Sequence, residues 1–478
     1  MRTEHDFLGE MDLPDDAYYG VQTKRAVHNF SITGHKINRD FIIALAIIKK
    51  AAAKANVQTG QLSPDVGTAV IQSAEEIIDG NWHEQFVADS IQGGAGTSIN
   101  MNVNEVIANL AIEKLGGKKG TYDIVSPNNH VNMSQSTNDV IPTAIRIATI
   151  RKANHLIKEF VGLGASLSCK AEEFSRVLKM GRTHLQDAVP ITLGQEFNAY
   201  ASAVNRAANR VKTAMAKLYC INMGATAVGT GLNAEPEYVQ EVVRQIGLLT
   251  GEHFVMSPNL VDATQNTDDL AEFSSALKVS ALALSKIAND LRLMASGPKC
   301  GFNEILLPAM QPGSSIMPGK INPVIPEVVN QVAFQVCGND LTISLAVEAG
   351  QFELNVMEPV IAYNLFNSIE FLTNAIRALN YNCITNIKAN LARCQEMVDN
   401  SIGIITAISP HIGYEKACAI SRESLASGIP VKEIIIAKNL LPVERLDVIL
   451  SPEEMTKPGI SGKEFLLLDL KEHEEQAV

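Results

Sequence analysis

Between Gly194 and Gly224 the chain carries neither glycine nor proline, and Phe197, Ala201, Val204, Ala208, Val211, Met215 and Leu218 recur in alternating steps of four and three. A seam of that period predicts one long helix that other helices must cover. Its alanines let a neighbouring helix approach closely, as a bundle core requires. A second seam, Leu270, Phe273, Leu277, Ala281, Leu284, Ile287, Leu291 and Met294, lies inside the proline-free interval from Pro258 to Pro298. Each seam predicts a helix of about 25 to 30 residues, roughly 40 Å long at 1.5 Å per residue. Further proline-free intervals run from Pro326 to Pro359 and from Pro359 to Pro410. The expected fold is mostly α, with a bundle of long helices at its centre. Around Val328 to Val336 apolar residues spread beyond one stripe, which predicts burial against other subunits as well as within the chain, with a large monomeric bundle as the alternative.

Composition narrows the function classes. A chain of 478 residues, 46% hydrophobic, has room for two or three domains. Its formal charge of −12 and lack of a long Lys/Arg run exclude a phosphate-tracking nucleic-acid binder. The longest apolar stretches, such as Phe41 to Ile48, fall far short of the roughly 20 residues that span a bilayer. The opening segment MRTEHDFLGE is acidic and has no apolar signal core, so a cytoplasmic protein is expected. Seven scattered cysteines without C-x-x-C spacing, and histidines without H-E-x-x-H pairing, predict reduced thiols and no protein-built metal site. The tail from Gly462 to Val478 reads as an acidic amphipathic ending that packs as a short helix or frays.

Four polar loops interrupt the helical text. QGGAGTSINMNVNE, Gln92 to Glu105, places Thr97 and Ser98 just upstream of an expected helix capped by an asparagine and ended by Gly116 and Gly117. HVNMSQSTND, His130 to Asp139, puts Ser136, Thr137 and Asn138 at a helix N-terminus and leads through Pro142 into it. Such an end offers free N–H groups and partial positive charge, which serve equally for capping and for carboxylate binding. GRTHLQDAVP, Gly181 to Pro190, is expected to carry Thr183 and His184 between helical segments. GSSIMPGKIN, Gly313 to Asn322, is not a phosphate-binding P-loop, because five residues separate Gly313 from Gly319 and Ile321 follows Lys320. It flows through Pro323 and Pro326 into a helix whose first turn holds Glu327.

Taken together, these segments resemble the aspartase/fumarase superfamily. GSSIMPGKIN is similar to its signature, and GTSINMNVNEVIAN, HVNMSQSTND, GRTHLQDAVP and NMGATAVGTGLN resemble its other landmarks in the same order. The likeness runs from DAYYGVQT at Asp16 to about Gly459. QGGAGTS, the Ser136-Thr137-Asn138 triplet and GQFELNVMEPV at Gly350 look like the ammonia-lyase branch and less like fumarases, which have QTGSGTQ-like and Ser-Ser-Asn segments. GPKCG, with Lys299 and Cys300, departs from the usual GPRAG.

The resemblance implies a homotetramer around a central bundle of long helices, with active sites shared among three subunits. It implies an N-terminal domain over residues 1–137, a helical domain over 138–392 and a small C-terminal domain over 393–478. The implied reaction is reversible elimination of ammonia from L-aspartate to give fumarate, with no cofactor required and with Mg²⁺ activation in some relatives; the alternatives are hydration of fumarate to L-malate and an inactive helical scaffold of the same fold. Ser314 is implied as the general base. Thr97, Ser136, Thr137 and Ser315 are implied as binding the β-carboxylate, Ser98 as a further substrate-binding residue, and Lys320 and Asn322 as holding the α-carboxylate. Asn138, Thr183 and His184 would surround the amine, with Glu327 orienting His184; some relatives carry Gln in place of this histidine.

Overall fold

The computed structural model describes residues 1–476. The chain divides into two compact units, each built from three stretches: Met1–Lys158, Ala207–Leu282 and Val332–Asn374 form the first, and Glu159–Arg206, Ala283–Gln331 and Ala375–Val478 the second. In chain order the elements begin with a hairpin of β1 (Arg2–Asp6) and β2 (Gly9–Leu13). Four helices follow: α1 (Val21–Asn29), α2 (Arg39–Gln58), α3 (Pro64–Ile78) and α4 (Thr97–Lys114). Next come α5 (Thr137–Glu173), the antiparallel strands β3 (Leu178–Thr183) and β4 (Gln186–Thr192), and α6 (Leu193–Met215). The central part ends with α7 (Pro236–Thr250), α8 (Leu260–Gln265), α9 (Asp268–Met294), α10 (Val324–Glu348) and α11 (Glu358–Asn382). Seven short α-helices and one 3₁₀ turn lie between Leu391 and Gln476.

Both seams become α6 and α9, and every seam residue is buried, Leu218 lying in the 3₁₀ turn that follows α6. The intervals after Pro326 and Pro359 become α10 and α11, so the fold is mostly α as its periodicity required. On α10, Val329, Ala333 and Val336 are buried, whereas Phe334, Leu341 and Leu345 are 67%, 61% and 62% exposed in the single chain. These three lie seven and four residues apart and form an uncovered apolar stripe.

In the first unit α2 packs against α3 and α7, and α3 against α4. The apolar run Phe41–Ile48 is buried in full, and the two lysines that follow are also buried. In the second unit β3 supplies Leu178 and Met180 to a core with Val398, Ile404, Ile408, Ile434 and Leu446 from the C-terminal helices. Among the described residues no helix is long and apolar enough to cross a membrane. All seven cysteines are free thiols. The tail forms a helix over Lys463–Gln476; Ala477 and Val478 lie outside the described residues.

Candidate active site

The residues implied for catalysis and binding fall into two groups. Thr97, Ser98, Ser136, Thr137 and Asn138 lie in the first unit, and Thr183, His184, Ser314, Ser315, Lys320, Asn322 and Glu327 in the second.

Thr97 and Ser98 are not upstream of α4 but open its first turn, behind Gly96 in the left-handed region. Gly96, and not the expected asparagine, stands at the start of this helix; Asn102 lies buried along it and accepts from Val87 N–H at 3.0 Å, and further on Asn109 donates to the carbonyl of Tyr18 at 2.9 Å. They satisfy backbone groups of the folded-over N-terminal chain, a role local spacing does not reveal. Glu105 serves the same end, accepting from Gly20, Gln22 and Thr23 N–H and from the Thr23 hydroxyl. Burial pushes its carboxyl up to about 7 against those donors. Thr97 and Ser98 face an open recess of about 200 Å³ also lined by Gln22, Phe30 and Arg25, whose guanidinium is held by Asp6 at 2.8 Å.

Ser136 caps α5 in a reciprocal box. Its Oγ accepts from Asn138 N–H at 3.2 Å, while Asp139 accepts from Ser136 N–H at 2.9 Å. Asp139 is fully buried and also accepts from the N–H groups of Gly224 and Thr226 at 3.1 and 3.0 Å, fastening the NMGATAVGTGLN loop to the cap. Burial raises its carboxyl to about 6, with these N–H donors and Lys49 pulling the other way. Pro142 lies inside α5 and not at its threshold. Proline has no N–H to donate to the carbonyl four residues back, and Asn222 Nδ2 fills that place at the Asn138 carbonyl, 3.0 Å away. Asn138 Nδ2 donates to the Ala227 carbonyl at 2.7 Å.

In the second unit Thr183 and His184 do not join helices. They end β3 at an exposed two-residue hairpin turn, in which His184 and Leu185 have φ of 55° and 60°. Positive φ at both positions is what a tight hairpin matching strand twist requires, and it is normally signalled by Asn-Gly. The hairpin is anchored by charge: Arg182 donates to Glu304 at 2.8 Å, and Lys179 reaches Glu196 at 2.8 Å and Glu304 at 3.4 Å. An open cleft of about 520 Å³ beside the turn is lined by Arg182, Leu185, Asp187, Phe302, Arg393 and Ser401.

The Gly313–Asn322 loop closes at its base. Gly313 N–H donates to the Lys320 carbonyl and Asn322 Nδ2 to the Gly313 carbonyl, each at 2.7 Å. A Cβ on Gly313 would stand 2.7 Å from that Lys320 oxygen, so the closure needs glycine. Gly319 has φ of 82° and open space around it. Within the loop, Ser314 Oγ accepts from the N–H groups of Met317 and Ile316 at 3.0 and 3.3 Å. Ser315 and Lys320 are exposed, and Glu327 sits in the first turn of α10 as expected. Among the described residues no hydrogen bond joins His184 to Glu327, and no group of three or more His, Cys, Asp or Glu side chains is arranged to hold a metal ion.

Residues 9–338 match the family model described as Lyase, and residues 404–457 that described as Fumarase C C-terminus. The chain is 56% identical over 465 residues to the aspartate ammonia-lyase of Bacillus subtilis (strain 168), covering 97% of this chain and 98% of that one. It belongs to the aspartase/fumarase superfamily, in the aspartate ammonia-lyase branch. Its likeness to the aspartate ammonia-lyase of Helicobacter pylori (strain ATCC 700392 / 26695) is 52% over 460 residues, covering 96% of this chain and 98% of the relative. Among solved superfamily structures, that of a fumarate lyase:delta crystallin from Brucella melitensis bound to cobalt aligns with a TM-score of 0.93 at 48% identity, covering 96% of this chain and 100% of that one. A class II fumarase from Schistosoma mansoni aligns at 0.91 and 36%, covering 96% and 99%. Lys299 and Cys300, where this member departs from the superfamily pattern, are exposed, and nothing in the structure explains them.

Proposed function

We propose that this chain catalyses the reversible deamination of L-aspartate to fumarate and ammonia, with Ser314 as the base that takes the Cβ proton. That proton lies beside a carboxylate which is already negative, and removing it produces an aci-carboxylate with a further charge. Donors aimed at that oxygen pair are the principal requirement. Thr97, Ser136, Thr137 and Ser315, with Ser98 beside them, supply hydroxyls and helix-terminal N–H groups for it. Lys320 and Asn322 hold the other carboxylate; Asn138, Thr183 and His184 surround the amine, and Glu327 orients His184.

One observation carries this reading: Ser314 Oγ is the acceptor of two backbone N–H groups. Hydrogen bonds received by an oxygen favour its anionic form, and each pKa unit so gained is worth about 1.36 kcal/mol. Lys320 adds positive charge on the same loop, and closure that excludes water strengthens both effects. The proposed reaction requires no cofactor, and activation by Mg²⁺ is a property of some relatives.

The exposed stripe of Phe334, Leu341 and Leu345 on α10 supports assembly through the long helices, and we read the enzyme as a cytoplasmic homotetramer whose sites draw loops from three subunits. The test of the reaction is direct. Fumarate is followed by its ultraviolet absorbance with L-aspartate or L-malate as sole substrate. Fumarate from L-aspartate alone is expected; fumarate from L-malate alone would make the chain a hydratase.

A further inference from the structure

The carboxylate seat proposed at the N-terminus of α5 contains an opposing element. Asp139, one residue beyond Asn138, is a buried carboxyl in the first helical turn, and a negative charge there works against binding a second anion. Lys49 of α2 is 0% exposed and is bonded to the loop that precedes this cap. Its Nζ donates to Asn132 Oδ1 at 3.0 Å and Gln135 Oε1 at 2.9 Å, both in the loop that runs into Ser136. Asn132 Oδ1 accepts as well from Asn100 and Asn104 Nδ2, each at 3.1 Å, and Asn100 Nδ2 reaches Thr137 Oγ1 at 3.4 Å. Lys49 has no carboxylate in direct ion-pair contact among the described residues. Burial draws its ammonium down to about 7, while the charge of Asp139 pulls it back up.

An apolar or amide side chain would have sufficed to fill this part of α2, and a buried ammonium costs far more than either. Its amide partners Asn132 and Gln135 lie in the loop next to Ser136, whose N–H Asp139 accepts, so the cation and the carboxylate serve the same cap. We propose that Lys49 is a positioning residue of the lyase: it offsets the charge of Asp139 at the α5 N-terminus and, through Asn132 and Gln135, holds the loop that presents Ser136, Thr137 and Asn138 to a substrate carboxylate. This rests on the reading of those three residues given above.

The test compares Lys49→Met, Asp139→Asn, the double variant and Thr137→Ala in the assembled enzyme. It uses KM and kcat with L-aspartate, inhibition by the unreactive dicarboxylate succinate, and thermal melting as a check on folding. Lys49→Met is expected to raise KM and the succinate inhibition constant roughly tenfold, the scale of a helix-terminus charge acting on a partly buried anion, with a smaller change in kcat. Adding Asp139→Asn, which removes the opposing charge, should recover about threefold or more of that loss, a coupling that a filler of the core would not produce. Additive effects, or an unchanged KM in a folded Lys49→Met enzyme, would overturn the proposal. So would loss of folding in Lys49→Met that the second substitution does not repair, which assigns the lysine to the core alone. Thr137→Ala is the control: an unchanged KM there refutes the carboxylate seat itself, and a raised KM there with a normal one in Lys49→Met refutes only the part given to the lysine.

Discussion

The N-terminus of α5 and the Gly313–Asn322 loop are both implied in gripping the same small dicarboxylate, yet they are built in opposite ways. Ser136, Thr137 and Asn138 are braced on every side: Asp139 ties their cap to Gly224 and Thr226, Asn222 takes the Asn138 carbonyl, and Lys49 holds the preceding loop from beneath. Ser314, Ser315 and Lys320 sit on an exposed segment fastened chiefly at its neck by Gly313 and Asn322. A seat for growing negative charge gains from fixed dipoles that need no reorganisation at the moment of reaction. A base that must meet substrate and then exclude water gains from freedom to close. Dense and sparse fastening are thus divided between two segments with similar polar composition.

Substitutions can break this contrast in graded steps. Among substitutions that leave the proposed catalytic side chains in place, the largest effect is expected at the neck: Gly313→Ala sets a methyl against the Lys320 carbonyl and should lower kcat about 10²-fold, as misplacement of a catalytic group by an ångström does, with the melting temperature little changed. Steady-state kinetics beside a melting curve reads both. On the braced side the balance reverses. Asn222→Ala strips the donor from the Asn138 carbonyl and from Thr264, and should cost about 1 to 3 kcal/mol of stability in denaturant titration, with only a modest rise in KM. The smallest effect belongs to Gly319→Ala: a positive φ in open space adds roughly 1 to 2 kcal/mol of local strain, which should slow turnover a few-fold without a measurable change in global unfolding. A large global destabilisation in the loop variants, or a purely kinetic effect of Asn222→Ala, would erase the distinction.

Much of the scaffold is legible in the amino-acid order itself. A seven-residue apolar repeat can be satisfied only by a covered helix, and Phe197 to Leu218 and Leu270 to Met294 are buried as that repeat demands. The positions of Ser136 at a helix N-terminus and Glu327 in a first turn are equally readable, because capping is local chemistry. The hairpin under Thr183 and His184 is not, since its turn uses His184 and Leu185 where Asn-Gly would announce it, and its strands are held by the distant Glu304 and the C-terminal helices. Asn102 resembles a cap by local spacing because its true partner, Val87, belongs to another segment of the chain. Lys49 does leave a signal: two lysines directly follow the apolar run Phe41–Ile48, where a buried helix would be expected to carry none.

The central claim is that the Ser314 hydroxyl, and no other group, removes the Cβ proton. It is tested most directly by Ser314→Ala, with fumarate production from L-aspartate measured beside calorimetric binding of L-aspartate to the same variant. Turnover should fall by about 10³-fold or more while binding stays close to native. Turnover within tenfold of the native enzyme, in a variant that binds L-aspartate normally, would contradict the assignment.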